Sequence, residues 1–374
     1  MKNLKVYFQS LGVLFEYNLG LTSSLAAYKD LKITVEITDL LLYLYSICFR
    51  QYYSNIKFIM TQPIIAPVWK KGNNKIANFV SRSSYYRKLI SKFDVLHLSQ
   101  IEHPYTRAAV EIERPKVLTL GYFPFRLDDR LKGTIMKMDA LIAPSKFLSK
   151  LIYEMHGCQS TVIYHGVATS VFNTMIPKTE ARKHLRLPAS KRVIYWNSRL
   201  DPDKDLKTLI DAVPIVAREI PNSLFLIKAR SKQSNYDILR YVRKKVRKNR
   251  IEQNVRMMTG WDFLTKMPYY YRSADVFAHT CLFESFGFVL VEAMACGVPI
   301  VAYNAATAPE IVGDAGLLSE PKNPEDLADK IIRLLSDEKL RTRLSEKGLN
   351  RISELGLTWE KAAEQYRKLY LSVT

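Results

Sequence analysis

Cysteine is scarce in this 374-residue chain: Cys48, Cys158, Cys281 and Cys296 stand far apart, and no two form a Cys-x-x-Cys pair. That spacing argues against a structural zinc site or a disulfide framework and points to a reducing cytoplasm. Long apolar runs are missing as well. The longest, Leu40 to Phe49, is about half the ~20 residues of a membrane span, and behind Thr38-Asp39 it reads as a capped, buried helix. Met1-Lys-Asn-Leu-Lys-Val enters a strand pattern at once, without the regions of a secretory leader. No Asp-x-Asp stands in a metal-binding setting, because Asp201-Pro-Asp203 lies inside a basic turn. The expectation is that no metal is needed.

Acidic residues are also short, 36 against 56 Lys and Arg, for a net charge of +20. The excess is divided between the two halves of the chain. Its densest cluster, Arg240 to Arg250, interleaves Tyr241, Val242 and Val246 at helical spacing. Three readings are open: a solvated outer face, a contact with an anionic membrane, or a contact with nucleic acid. Tyr85-Tyr-Arg-Lys-Leu-Ile-Ser-Lys-Phe93 reads as an amphipathic surface helix.

What is present is a 48% hydrophobic composition, enough for two domains. Strand and helix signals alternate throughout, which predicts α/β layers with parallel sheets. Strands are expected at Leu4–Phe8, Ile33–Ile37, Lys57–Met60, Val95–Leu98, Lys116–Gly121 and Arg192–Trp196. A long loop from Gln9 to Gly20 is expected before a helix opened by Thr22-Ser-Ser, and Pro177 to Ser190 reads as a polar linker.

The most informative stretch runs from Phe277 to Ala302. It reads as a strand, a loop carrying Glu284, a helix carrying Glu292, a Gly297-Val-Pro299 stop and a further strand. A helix starting near Gly287 turns its unpaired N–H groups and the positive end of its dipole toward the loop, which makes an anion site. Earlier, Asn197-Ser-Arg199-Leu-Asp-Pro-Asp-Lys204 follows a strand and places two cations five residues apart at the start of a helix.

Phe283-Glu284-Ser-Phe-Gly287 with Glu292-Ala-Met-Ala-Cys-Gly-Val-Pro299 closely resembles the Glu-x7-Glu motif of the GT4 family of retaining, nucleotide-sugar-dependent glycosyltransferases. The resemblance covers residues 138–374 well and the first 135 loosely. It implies a GT-B fold, with two Rossmann-like domains facing across a cleft. The boundaries it suggests are 1–176 for the acceptor side, 177–356 for the donor side, and a terminal helix, 357–374, returning to the first domain. It implies that Glu284 contacts the donor sugar and Glu292 the ribose. Phe286 and the amides of Gly287, Phe288 and Val289 would lie on the donor, with Arg199 and Lys204 on its diphosphate. Gly20 would retain a phosphate-loop role or be an ordinary turn glycine.

The family's acceptor-side His is absent at Gly121-Tyr122, where His103 or Tyr122 could compensate. His97 and His165 read as packing and turn residues. Ala308 to Leu318 resembles a family loop and hairpin. The function implied is transfer from a UDP- or GDP-linked sugar to an acceptor that is lipid-linked or membrane-proximal, with no cofactor and no nucleic-acid partner, in the cytoplasm or at the membrane surface. The alternatives are a nucleotide-sugar epimerase and a basic surface binder with a degenerate site.

Overall fold

The computed structural model describes residues 4–10, 15–37, 56–60, 83–99, 101, 104–121, 129–230, 236–260, 262 and 264–374. The apolar run Leu40 to Phe49, together with Gly12, His103 and Tyr122, lies outside the described residues. The chain forms two compact units, Met1–Gly166 with Thr358–Thr374, and Val167–Leu357. The break after Gly166 stands ten residues before the expected 176. Among the described residues, no helix is long and apolar enough to cross a membrane.

The first unit holds β1 (Leu4–Ser10), β2 (Leu31–Ile37), β3 (Ile56–Met60), β4 (Val95–Leu98), β5 (Lys116–Thr119), β6 (Ala140–Ala143) and β7 (Thr161–Val162). They form one parallel sheet in the order β3-β2-β1-β4-β5-β6-β7. β4 and β5 are buried along their whole length, as strands covered on both faces must be. The terminal helix Trp359–Ser372 belongs to this unit and is tied to its sheet by polar contacts. His97 Nδ1 lies 2.5 Å from the Tyr370 hydroxyl and its Nε2 2.8 Å from Thr119 Oγ1, which in turn meets the Tyr366 hydroxyl at 2.8 Å. His97 is therefore a packed, satisfied strand residue. Its burial, with the nearby His165, pushes its pKa down to about 3.

The second unit contains β8 (Arg192–Arg199), β9 (Ser223–Arg230), β10 (Val255–Thr259), β11 (Val276–His279), β12 (Ile300–Tyr303) and β13 (Gly316–Ser319). They also form a parallel sheet, ordered β10-β9-β8-β11-β12-β13. The chain runs outward from β8 to β10 and returns to start again at β11. The order therefore reverses between β8 and β11, and crevices at such a switch point bind ligands in open α/β sheets. The fold is the expected α/β class, GT-B, built from two Rossmann-like units.

Three local expectations need correction. The segment expected as a linker contains a helix, Lys178–His184, whose Arg182 donates to Asp275 at 2.7 Å, with Lys178 on the other carboxylate oxygen at 2.8 Å. Instead of a hairpin after Ala308, a short helix leads into β13, which pairs parallel with β12. The first helix begins at Phe15 rather than Thr22 and holds Gly20 in its interior. A Cβ on Gly20 would collide with the Trp359 indole, so close helix packing accounts for this glycine and the expected phosphate loop is not its setting.

Candidate functional site

The switch point is built by two turns, one after β8 and one after β11. After Arg199, Pro202–Lys204 makes a single 3-10 turn, and Asp205 adopts a left-handed φ of 41° to cap the helix Leu206–Glu219. Its carboxylate accepts from Thr208 Oγ1 at 2.7 Å and from the Tyr303 hydroxyl at 2.9 Å. This turn swings Lys204 inward, where it is 6% exposed. The loops are stitched together by Leu282 N donating to Asp203 O (2.8 Å), Thr280 Oγ1 donating to Lys204 O (2.9 Å) and Trp196 Nε1 donating to Thr280 Oγ1 (3.0 Å).

Lys204 Nζ has three hydrogen-bond acceptors, matching its three protons: Glu284 Oε2 at 2.8 Å, Cys281 Sγ at 3.1 Å and Phe283 O at 3.2 Å. Burial works against the ammonium, but the Glu284 carboxylate outweighs it and raises the lysine pKa. Burial likewise opposes ionisation of Glu284, and Lys204 overrides it and holds the carboxyl below its usual range. The pair is fully ionised at neutral pH, and the two βα turns are locked to each other by charge. Removing one partner of such a buried pair costs about 3–5 kcal/mol, because the other charge is left uncompensated.

Arg199 is held differently. Its Nε donates to Asp201 Oδ2 at 2.8 Å with half of its side chain exposed, a pair worth at most about 1 kcal/mol. Its charge also contributes to the acidity of Glu284. Lys204 and Glu284 are thus in direct contact across the two turns, while Arg199 stands on the first turn and reaches Glu284 through its charge.

Past Glu284 the chain turns through Gly287, whose φ of 88° lies in the left-handed region. A Cβ there would also stand 3.0 Å from Leu290 Cδ1. Gly287 opens the helix Phe288–Ala295 with no side-chain cap, so Phe286, Gly287, Phe288 and Val289 form its tip. The Phe286 carbonyl is fixed by Thr307 Oγ1 at 3.1 Å. Glu292 is carried into that helix and buried at 8% exposure, where it accepts from the Tyr271 hydroxyl at 2.5 Å. Burial first, then the Glu292 charge, raises the Tyr271 pKa well above the phenol range, so Tyr271 remains a donor.

The sequence reading missed Tyr271, Cys281 and His279. Tyr271 comes from the preceding helix, Met267–Ser273, and the only sequence signal is the tyrosine run 269–271 just upstream. Ligand atoms of His279, Cys281 and Glu284 lie within 4.8 Å of one another, residue types that also suit a metal ion. The Lys204 ammonium already bonds two of the three, and a dication there would face its charge. Burial lowers the His279 pKa to about 4 and raises the Cys281 thiol to about 12, so the set offers a neutral imidazole and a protonated sulfur.

Comparison with known proteins agrees with this fold. Residues 177–351 match the family model for glycosyl transferases group 1. Among curated relatives, an uncharacterized glycosyltransferase of Methanocaldococcus jannaschii is 28% identical over 268 residues, 68% of each chain. A GDP-mannose-dependent monoacylated alpha-(1-6)-phosphatidylinositol monomannoside mannosyltransferase of Corynebacterium glutamicum is 32% identical over 182 residues, 46% of each chain. The second match thus spans less than half of that relative. Among solved structures, Anabaena HepE in complex with UDP and glucose superposes with a TM-score of 0.79 at 20% identity, covering 99% of this chain and 100% of that one. At that identity the likeness is one of fold.

Proposed function

We propose that this chain is a retaining, metal-independent glycosyltransferase that moves a sugar from a UDP- or GDP-linked donor to an acceptor hydroxyl. The observation that carries the proposal is the buried Lys204 ammonium joining the two switch-point turns and bonded to Glu284, directly before the uncapped helix at Gly287.

In this reading the donor diphosphate lies against the tip amides of Gly287, Phe288 and Val289, with Arg199 and Lys204 beside it. Glu284 accepts from hydroxyls of the donor sugar, and Glu292, held by Tyr271, accepts from the ribose. The anomeric carbon–oxygen bond breaks and its electron pair goes to the diphosphate. The acceptor oxygen bonds the same carbon from the same face, and its proton passes to a departing phosphate oxygen. Preorganised cations and helix dipoles stabilise the charge that develops, the role a metal takes elsewhere. The acceptor is lipid-linked or membrane-proximal, a reading supported by the phosphatidylinositol monomannoside named for the Corynebacterium relative.

The test is release of nucleoside diphosphate from a panel of UDP- and GDP-sugars by the pure protein, with the anomeric configuration of any product read by NMR. Release abolished in Glu284→Gln supports the proposal. No release from any donor, or an inverted product, refutes it.

A further inference from the structure

The helix Tyr236–Asn249 packs Ile238 and Val242 into the second unit's core, with Leu239, Tyr241 and Val246 half-buried against it. Its flank is neutralised: Asp211 accepts from the Tyr241 hydroxyl at 2.6 Å and pairs with Lys245 at 2.7 Å, and Lys245 and Lys207 each lie 5.4 Å from the Tyr241 ring centre. The outward face is not neutralised. Arg240, Arg243, Lys244 and Arg247 fall at i, i+3, i+4 and i+7, one stripe about 100° wide. All four are exposed and, among the described residues, make no ion pair. From Tyr236 to Arg247 the stripe spans twelve residues, about 16 Å end to end. It lines a shallow depression of about 550 Å³, which Tyr236, 64% exposed, and Leu239 close with apolar surface.

We propose that this stripe is a docking surface for a membrane carrying anionic phospholipid. One straight row of basic residues along an exposed helix face matches a planar array of head-group phosphates. A duplex would instead call for cations on both sides of a groove about 12 Å wide. A depression with guanidinium groups on its walls and a tyrosine and a leucine at its edge suits a phosphate joined to a glycerol ester, and an exposed tyrosine ring is at home in the interfacial layer. Lys248 and Arg250, exposed at the same end of the helix, extend the positive field. Nothing here rests on the transferase reading, since attachment is measured without turnover.

The experiment is co-sedimentation of the full chain with vesicles of phosphatidylcholine alone and of an equal mixture with phosphatidylglycerol, at low and raised salt. The wild type is expected to bind the mixed vesicles and not the neutral ones, and to release them with salt. Arg240→Gln/Arg243→Gln/Lys244→Gln/Arg247→Gln is expected to weaken binding at least about 100-fold, each basic residue contributing a factor of about five, with an unchanged melting temperature. Lys339→Gln/Arg343→Gln, on another exposed helix, is the charge control and is expected to bind as the wild type does. Equal binding by the fourfold variant, an equal loss per charge in the control, or a preference for a single-stranded oligonucleotide at the same salt would overturn the proposal.

Discussion

Lys204 Nζ stands 2.8 Å from Glu284 Oε2, across eighty residues of sequence, with the lysine side chain 7% and the glutamate 29% exposed. The contact joins the turn after β8 to the turn after β11, the strands between which the sheet reverses its order. One ammonium therefore acts twice, holding the two loops together and supplying positive charge where the sheet opens.

The two roles predict a double loss. Lys204→Ala should destabilise the protein by about 3–5 kcal/mol, since Glu284 is left without its cation. Lys204→Ala/Glu284→Ala should recover part of that stability while remaining inactive. Urea denaturation of the single and double variants measures the coupling, and additive losses would remove the ion pair from the account.

Arg199 is predicted to separate chemistry from stability. Its pair with Asp201 is half-exposed, so Arg199→Ala should leave stability within about 0.5–1 kcal/mol of wild type. Turnover should fall about 10²–10³-fold, as on loss of one preorganised donor to a developing anion. Melting temperature and steady-state rates on the same preparation decide it.

Tyr271 should act through Glu292. Tyr271→Phe keeps the ring but removes the 2.5 Å hydrogen bond to the carboxylate. The expected result is a donor KM about tenfold higher with kcat little changed, and Glu292→Ala should raise KM further in the same sense. A fall in kcat at constant KM would move both residues from ribose binding to the reacting bond.

Acid should destabilise the fold well above the carboxylate range. Burial keeps His97 and His165 neutral down to about pH 3 and His279 down to about pH 4. In the unfolded chain imidazoles bind protons below about pH 6.5, so that state gains protons the folded one refuses, and stability falls as the pH drops from there. Each of the three should cost up to about 2 kcal/mol at pH 5. Urea midpoints between pH 7 and pH 5 test the slope, which His97→Asn should reduce by about one proton.

The parts of the site legible in sequence are those in which one short segment carries both the turn and the functional group. Arg199 to Lys204 and Glu284 to Val289 are such segments, and strand, turn and helix signals placed them at sheet ends. The strand pattern was legible for the same reason: β4, β5, β11 and β12 are continuous buried runs. Partners from distant elements were not legible. Tyr271 reaches Glu292 from a separate helix, and Cys281 shares the Lys204 ammonium only because two loops fold together. Gly20 misled because a glycine before Thr-Ser-Ser reads as a loop, whereas the Trp359 indole, over three hundred residues away, is what requires it.

The central claim is that a nucleoside diphosphate seats its phosphates between the two switch-point cations and the helix tip at Gly287. Calorimetric titration of UDP and GDP into the wild type and Arg199→Ala tests it most directly. The account predicts that one of the two nucleotides binds the wild type and at least about 100-fold more weakly the variant, which would correspond to some 2.7 kcal/mol. Equal affinity for both proteins, or none for either nucleotide, would contradict it.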